Sequence, residues 1–271
     1  MPDPVERFTV DEATVLVYPT TAVMSQAAAS RAAAILRDAI ASRGSARLIV
    51  GTGSSQHAFF RALAERPNID WDHIELFHMD EYAGMPVRHP ASFRRWLDIH
   101  LAGVVRPRTV HYLAGDAADV TAECRRYASL LRSAPIDLSC IGFGENGHLA
   151  FNDPHVADFA DPEAVKLVDL DERCRLQQVG EGHFAVLDAV PRTALTITCP
   201  ALMSAEHVIG CVPERRKAEA VRDALEGPIS PACPASLVRT HPKAVLYLDG
   251  DSAALLSRPP RAVAEAARFR P

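Results

Sequence analysis

Arg47-Leu48-Ile49-Val50-Gly51-Thr52-Gly53-Ser54-Ser55 carries a short apolar, β-type run straight into a stretch of small residues. Just upstream, within residues 22–43, Ala28, Ala32, Ile35, Leu36 and Ala39 recur at intervals of three and four, and Gly44 supplies a C-terminal stop. The segment therefore reads as one amphipathic helix feeding one strand. The alternation continues in both directions, with strand-like runs at 14–17, 74–77, 136–141, 194–198, 208–212 and 244–248 separated by longer helical stretches. Such alternation predicts right-handed βαβ units and hence a three-layer α/β, Rossmann-like fold: a mostly parallel, doubly wound sheet with helices on both faces. No repeat, low-complexity tract or linker interrupts it, so residues 1–271 are expected to form a single domain.

The net charge is -5 and no block of five or more Lys/Arg occurs, so the chain lacks the electrostatic footprint that a nucleic-acid backbone demands. A small anion can still bind locally. Cys124, Cys140, Cys174, Cys199, Cys211 and Cys233 form no CxxC pair and no zinc-type spacing with histidine, which predicts reduced thiols and no metal. Met1-Pro-Asp-Pro-Val-Glu-Arg places acids and prolines where a signal peptide needs a basic start and an apolar run, and no 18-residue apolar segment follows. A cytoplasmic protein without a membrane partner is expected, and a homo-oligomer is compatible with the sequence.

Open parallel sheets bind ligands beyond the carboxyl ends of their strands. Four strands end in reactive-looking sequence: Gly51 to Ser55; His78-Met79-Asp80-Glu81-Tyr82; Gly142-Phe143-Gly144-Glu145-Asn146-Gly147-His148; and Pro213-Glu214-Arg215-Arg216-Lys217. One cleft can collect all four. Gly51, Thr52, Gly53, Ser54 and Ser55 let backbone N–H groups approach an anion, and a helix starting near Gln56 would aim its positive end at the same place. By itself the loop is equally an ordinary tight turn and N-cap, and it matches neither the P-loop nor GxGxxG. Lys217 opens a later helix, where a cation opposes the dipole and is better explained by a ligand phosphate. Arg215 and Arg216 read as a solvated charged turn.

Met79 and Tyr82 flank Asp80 and Glu81 with bulk that limits solvent around one carboxylate, and desolvation raises a carboxyl pKa toward the range of a general base. An aspartate capping the next turn would give the same pattern. In the third segment the glycines permit a contorted loop, His148 suits proton transfer near neutral pH, and Asp153 or Glu145 can orient its imidazole.

Met79-Asp80-Glu81-Tyr82, Gly147-His148-Leu149-Ala150-Phe151-Asn152-Asp153-Pro154 and His241-Pro242-Lys243-Ala244 resemble, in order and separation, the signatures of the glucosamine-6-phosphate deaminases, a branch of the superfamily that includes the 6-phosphogluconolactonases. The resemblance spans roughly residues 15 to 250 and implies the deaminase/isomerase type of the α/β fold. It further implies that Asp80 shuttles a proton between C2 and C1 of an open-chain sugar, that His148 assists ring opening, and that Asp153 holds His148. Gly51 to Ser55 and Lys217 would bind the phosphate of an amino-sugar phosphate, with no metal or organic cofactor needed. Lactonases resemble the chain less: they carry Asp-Glu-Arg where it has Asp80-Glu81-Tyr82, and they lack the run after the histidine.

Two departures mark a divergent member. Asn146 stands where the deaminases have an aspartate, and it can hydrogen-bond but cannot accept a proton, so either Glu145 takes over or the reaction differs. The deaminase arginine expected within 173–178 has no clear counterpart, and Gln177-Gln178-Val179-Gly180-Glu181-Gly182 is a polar, glycine-containing stretch instead. The leading expectation is deaminating aldose-ketose isomerisation of glucosamine 6-phosphate to fructose 6-phosphate and ammonia. The alternatives are a sugar-phosphate lactone hydrolase, with His148 activating water, and a non-catalytic sugar-phosphate sensor.

Overall fold

In the computed structural model, which describes residues 3–257, the chain opens with a hairpin of β1 (Glu6–Val10) and β2 (Ala13–Tyr18), followed by α1 (Thr21–Arg43) and β3 (Ala46–Val50). Next come α2 (His57–Ala64), β4 (Ile74–His78), β5 (Asp80–Tyr82), α3 (Phe93–Leu97), α4 (Gly103–Val105), β6 (Thr109–His111), α5 (Val120–Arg132) and β7 (Leu138–Ile141). The last part runs through β8 (Val165–Asp169), α6 (Glu172–Gly180), β9 (Thr193–Ile197), α7 (Cys199–Met203), β10 (His207–Val212), α8 (Ala218–Glu226) and β11 (Ala244–Asp249). Among the described residues no helix is long and apolar enough to cross a membrane.

Eight strands form one sheet in the order β1-β2-β11-β10-β7-β3-β4-β6, parallel throughout except for the β1–β2 hairpin at its edge. Helices cover both faces, as the sequence pattern predicts. On one side α1 and α2 lay Met24, Ala28, Ala32, Leu36, Phe59 and Leu63 against Leu48, Val50, Leu76 and Ile209. The other side packs Tyr127, Leu131, Val221 and Leu225 against Ile49, Phe77, Val208 and Leu246. α1 begins where predicted because the Thr20 hydroxyl caps it, accepting from Val23 N–H at 3.3 Å, and it stops at Gly44, whose φ of 78° suits a residue without a Cβ.

From β3 the chain winds outward through β4 and β6, then returns to the other side of β3 with β7, β10 and β11. β3 and β7 therefore flank the point where strand order reverses, and the loops leaving their carboxyl ends part to leave a crevice. The Gly51 loop follows β3, the Gly142 loop follows β7, the Asp80 segment follows β4 and the Lys217 turn follows β10. All four strand-end motifs are thus gathered at one crevice.

Segment 194–198 behaves differently from the expectation. It forms β9, which lies outside the parallel sheet and pairs antiparallel with β5 and β8 in a separate three-stranded sheet. Ala194, Leu195, Thr196 and Ile197 are all buried. A run buried on both faces reads the same whether its neighbours are parallel or antiparallel. The small sheet holds the Asp80 segment against the rest of the molecule: Asp80 is in register with Thr196, and Ile197 N–H donates to Met79 O at 3.0 Å.

Candidate active site

One cleft is lined by Gly51, Thr52, Gly53, Ser55, Asp80, His148, Gln177, Gln178, Glu181 and Lys217, with Met79, Phe93, Phe143 and Phe151 as its apolar walls. On its floor, Gly51 N–H donates to Cys140 O at 3.0 Å, which ties the loop to β7. Gly53 has φ of 109°, a conformation open to glycine alone without strain, and the turn Ser54–Gln56 then leads into α2. Gln56 sits beneath, its Nε2 donating to Cys211 O at 3.0 Å, and a Cβ on Gly142 would come within 2.6 Å of that nitrogen.

Lys217 ends the turn Arg215–Lys217 just before α8 and is 2% exposed. Among the described residues its ammonium has neither a hydrogen-bond nor an ion-pair partner, and burial followed by the charge of Arg216 pulls its pKa down to about 8. The turn is pinned from behind by a signal invisible in the local sequence. Glu214 has φ of 80°, costly for a residue with a Cβ, and its N–H donates to both oxygens of Asp249 at 3.2 Å. Asp249, at the end of β11, also accepts from Thr21 Oγ1 at 2.6 Å and Ser252 N–H at 2.8 Å.

The two acids after β4 have separate situations. Glu81 is fully buried and turned away: its carboxylate accepts from Ser92 Oγ at 2.7 Å, from the N–H groups of Tyr82, Phe93 and Arg94 at 3.0–3.2 Å, and faces Arg94 Nε at 3.4 Å. At the start of α3 the capping is shared, Ser92 Oγ accepting from Arg95 N–H as the N-cap while Glu81 takes the N–H groups of Phe93 and Arg94. Asp80 faces the cleft, 6% exposed, with Thr52 Oγ1 at 3.5 Å. Burial first, then the neighbouring Glu81, push its pKa up to about 8. His78, the last residue of β4, is wholly buried and pushed down to about 3 by burial and by Arg94, so it stays neutral and behind the cleft.

His148 stands opposite in the loop after β7, its ring packed so closely on Gly144 that a Cβ there would collide with the imidazole. Nδ1 lies 3.0 Å from Asp153 Oδ1. Burial alone would raise the Asp153 carboxyl, but the hydrogen bond and charge of His148, with donors from Asn146 and the Asp171 N–H, leave it below the usual range. Glu145, expected as an alternative partner, does not serve His148. Its side chain reaches Arg216 Nη1 at 3.3 Å, and its N–H donates to Gln177 Oε1 at 2.9 Å.

Asn146 is a bridge between acids. Its Nδ2 donates at 2.9 Å both to Asp153 Oδ1 and to Asp171 Oδ2, and its Oδ1 accepts from His148 N–H at 3.1 Å. Asp171 in turn caps α6 through Cys174 N–H at 2.5 Å, so Asn146 joins the His148 loop to the helix that forms the far wall. An aspartate here would put a third carboxylate against two others and remove both donors. Asn146→Asp is therefore expected to lose about 3 kcal/mol of stability at neutral pH, measured by urea unfolding. The introduced acid would have a raised folded-state pKa, so its cost should fade as pH drops through the carboxylate range. An unchanged midpoint at neutral pH would contradict the bridge.

α6 contributes Gln177, Gln178 and, just past its end, Glu181 to the cleft, and no arginine. Arg173 is at the surface near Glu219, while Arg175 is buried and donates to the carbonyls of Leu187 and Val190. Gln178 is oriented by Tyr82 Oη, which donates to its Oε1 at 2.8 Å. The solvated turn expected for Arg215 and Arg216 holds only for Arg215; Arg216 folds inward, donating to Ser54 Oγ at 3.0 Å and to Glu181 Oε1 at 2.6 Å. His148, Asp153 and Cys174 lie close enough to converge on one ion, as do Asp153, His155 and Asp171. Both sets depend on Asp153, whose oxygens already accept from His148, Asn146 and Asp171. His241-Pro242-Lys243-Ala244 lies away from the cleft and builds the turn into β11, with His241 Nε2 2.9 Å from Ala205 O.

The sequence profile described as Glucosamine-6-phosphate isomerases/6-phosphogluconolactonase matches residues 19–247 and so takes in all four loops. The chain belongs to this family. It is 32% identical to the glucosamine-6-phosphate deaminase of Exiguobacterium sibiricum over 208 residues, 77% of this chain and 80% of the relative. With the Halothermothrix orenii deaminase it shares 34% over 213 residues, 76% and 86% of the respective chains. A monomeric glucosamine-6-phosphate deaminase superposes with a TM-score of 0.81 at 29% identity, covering 89% of this chain and 99% of that one. The 6-phosphogluconolactonase of Shewanella baltica, at 20% identity and a TM-score of 0.73 over 89% and 99% of the two chains, shares the fold. In this chain Glu181 and Arg216 meet Ser54 of the Gly51 loop, while Gln178 lines the cleft beside Tyr82.

Proposed function

We propose that this chain is a single-domain deaminating isomerase that converts glucosamine 6-phosphate and water to fructose 6-phosphate and ammonia. The observation that carries the reading is a buried carboxyl, Asp80, whose pKa burial and Glu81 push up to about 8, lining the same cleft as the His148–Asp153 pair and Lys217, whose ammonium has no partner among the described residues. A general base works best with a pKa close to the working pH, and the raised Asp80 carboxyl is better matched to proton abstraction from carbon than an exposed aspartate would be.

The loop of Gly51, Thr52, Gly53, Ser54 and Ser55 with Lys217 takes the phosphate. His148, held by Asp153 through Nδ1, moves the C1 hydroxyl proton toward the ring oxygen and opens the sugar. The C1 carbonyl then acidifies the C2 hydrogen, which Asp80 removes and returns to C1, leaving an imine at C2 that water converts to the ketone with loss of ammonia. Tyr82, in place of a lactonase-type arginine, and the asparagine-acid-proline run after His148 support this chemistry over lactone hydrolysis. Because charged sugar phosphates do not cross a bilayer unaided, such an enzyme works in the cytoplasm.

The test is the pH dependence of kcat/KM for ammonia release from glucosamine 6-phosphate. Asp80 must be ionised and Lys217 protonated, so the profile should rise and then fall as each titrates at about 8, giving a narrow maximum near that pH. A profile flat from mildly acidic to mildly basic pH would overturn the assignment of the base. Acid release from 6-phosphogluconolactone without ammonia release from the amino sugar would make the chain a hydrolase, and phosphate-dependent binding without either reaction would make it a sensor.

A further inference from the structure

Arg216 is surrounded by more negative charge than one guanidinium needs. Nη1 donates to Glu181 Oε1 at 2.6 Å and Glu145 Oε1 at 3.3 Å, Nε donates to Glu214 Oε2 at 2.5 Å, and Nη2 donates to Ser54 Oγ at 3.0 Å. Ser54 belongs to the loop assigned to phosphate, and its hydroxyl donates onward to Glu181 Oε2 at 3.2 Å. Gln177 Nε2 adds a donor to Glu181 Oε1 at 2.8 Å, and His183 Nε2 lies 3.5 Å from Oε2. A carboxylate is therefore lodged against the cradle, 3.8 Å from where a Cβ on Gly53 would sit, and lines the same cleft as Lys217.

This carboxylate is built in. Its side chain is 6% exposed. Burial would raise its pKa, but the hydrogen bonds from His183 and Arg216 and the charges of Arg216 and Lys217 hold it far below the usual range, so it is ionised at any working pH. Two carboxylate oxygens accepting from a serine, a guanidinium and an amide reproduce the contacts one face of a phosphate would make. A phosphate dianion cannot share those donors with it, because two anions in hydrogen-bond range of one guanidinium in a poorly solvated cleft repel strongly. Gly180 and Gly182 flank Glu181, and a Cβ at either would meet nothing within 4 Å, so the segment has room to shift.

Resting on the assignment of the Gly51 loop and Lys217 as the phosphate site, we propose that Glu181 is an internal competitor for that site: a ligand's phosphate binds by displacing the Glu181 carboxylate from Ser54 and Arg216. Arg216 then becomes the second cation beside Lys217, a function that no arginine of α6 fulfils. The arrangement selects for phosphate monoesters, whose double charge outbids a carboxylate, over ligands that end in a single carboxylate.

The experiment is calorimetric titration of the full chain with inorganic phosphate at neutral pH and low salt. Glu181→Gln, which removes the charge and keeps the shape, should tighten phosphate binding on the order of tenfold, about 1.4 kcal/mol. Glu181→Asp, which withdraws the charge by one methylene, should fall between it and the parent, and provides the reading if the glutamine variant melts early. Arg216→Ala should weaken binding in the Glu181→Gln background on a similar scale. Unchanged or weaker phosphate binding in both Glu181 variants would overturn the proposal, provided Lys217→Ala weakens binding in the parent chain. If Lys217→Ala leaves phosphate affinity unchanged, the phosphate site itself is misassigned and the proposal falls with it.

Discussion

Asp80→Asn is expected to abolish turnover and, at the same time, to raise the melting temperature. The carboxyl is buried beside Glu81, with one long hydrogen bond from Thr52 to favour its charged form, and its pKa is pushed up to about 8. A folded-state pKa above the unfolded one means that the acid's contribution to stability is complete below the unfolded value, near pH 4, and is lost as pH rises toward about 8. The slope is about 1.4 kcal/mol per pH unit for one proton. Asparagine carries no charge at any pH, so the variant's advantage should widen from about pH 4 to about pH 8. Turnover should fall by the 10²- to 10⁴-fold typical of general acid-base catalysis, or more. In deuterated water the parent should place deuterium on C1 or C2 of the sugar while the variant places none. Parental activity in Asp80→Asn would refute the mechanism; an unchanged melting temperature at pH 8 would refute the destabilising burial of the Asp80 charge.

Lys217→Ala is expected to raise KM far more than it lowers kcat. The lysine lies on a different loop from Asp80 and His148, so its loss removes attraction to the phosphate in ground state and transition state alike, which is the signature of uniform binding. A charge-assisted hydrogen bond contributes about 1.5–3 kcal/mol, so kcat/KM should fall roughly ten- to a hundredfold. The parent should also show KM climbing above about pH 8 as the ammonium loses its proton, and this climb should vanish in the variant. Equal affinity of the parent for glucosamine and glucosamine 6-phosphate in a calorimetric titration would remove the basis for the assignment.

Much of this architecture was legible because its signals are local. Helix α1 is written in the spacing of Ala28, Ala32, Ile35, Leu36 and Ala39 and in its Gly44 end, and β3, β4, β7, β10 and β11 are short apolar runs within two residues of where they were expected. The β1–β2 hairpin was half seen, since Glu6–Val10 alternates exposed with partly buried residues and carries too little apolar signal. β9 was found but given the wrong neighbours. Gly51 to Ser55, Asp80, His148 and Lys217 were legible as a group because each lies in a segment that leaves the carboxyl end of a strand, and parallel strands deliver those ends to one edge.

By itself the sequence determined the α/β class, the parallel sheet and the set of loops that meet at the crevice, because periodicity and strand-end chemistry act over a few residues at a time. Only the tertiary structure decided which acid meets which base. Asp80 rather than Glu81 faces the cleft because Ser92, Phe93 and Arg94, 11 to 13 positions further on, offer Glu81 its donors. Asp153 rather than Glu145 holds His148, since Arg216, 71 positions further on, draws Glu145 away. Asn146 became intelligible through Asp171, Lys217 through the Asp249 clamp on Glu214, and the inward fold of Arg216 through Glu181 and Ser54. Charge pairing and desolvation depend on distance in space, and in each of these cases the deciding partner is remote along the chain.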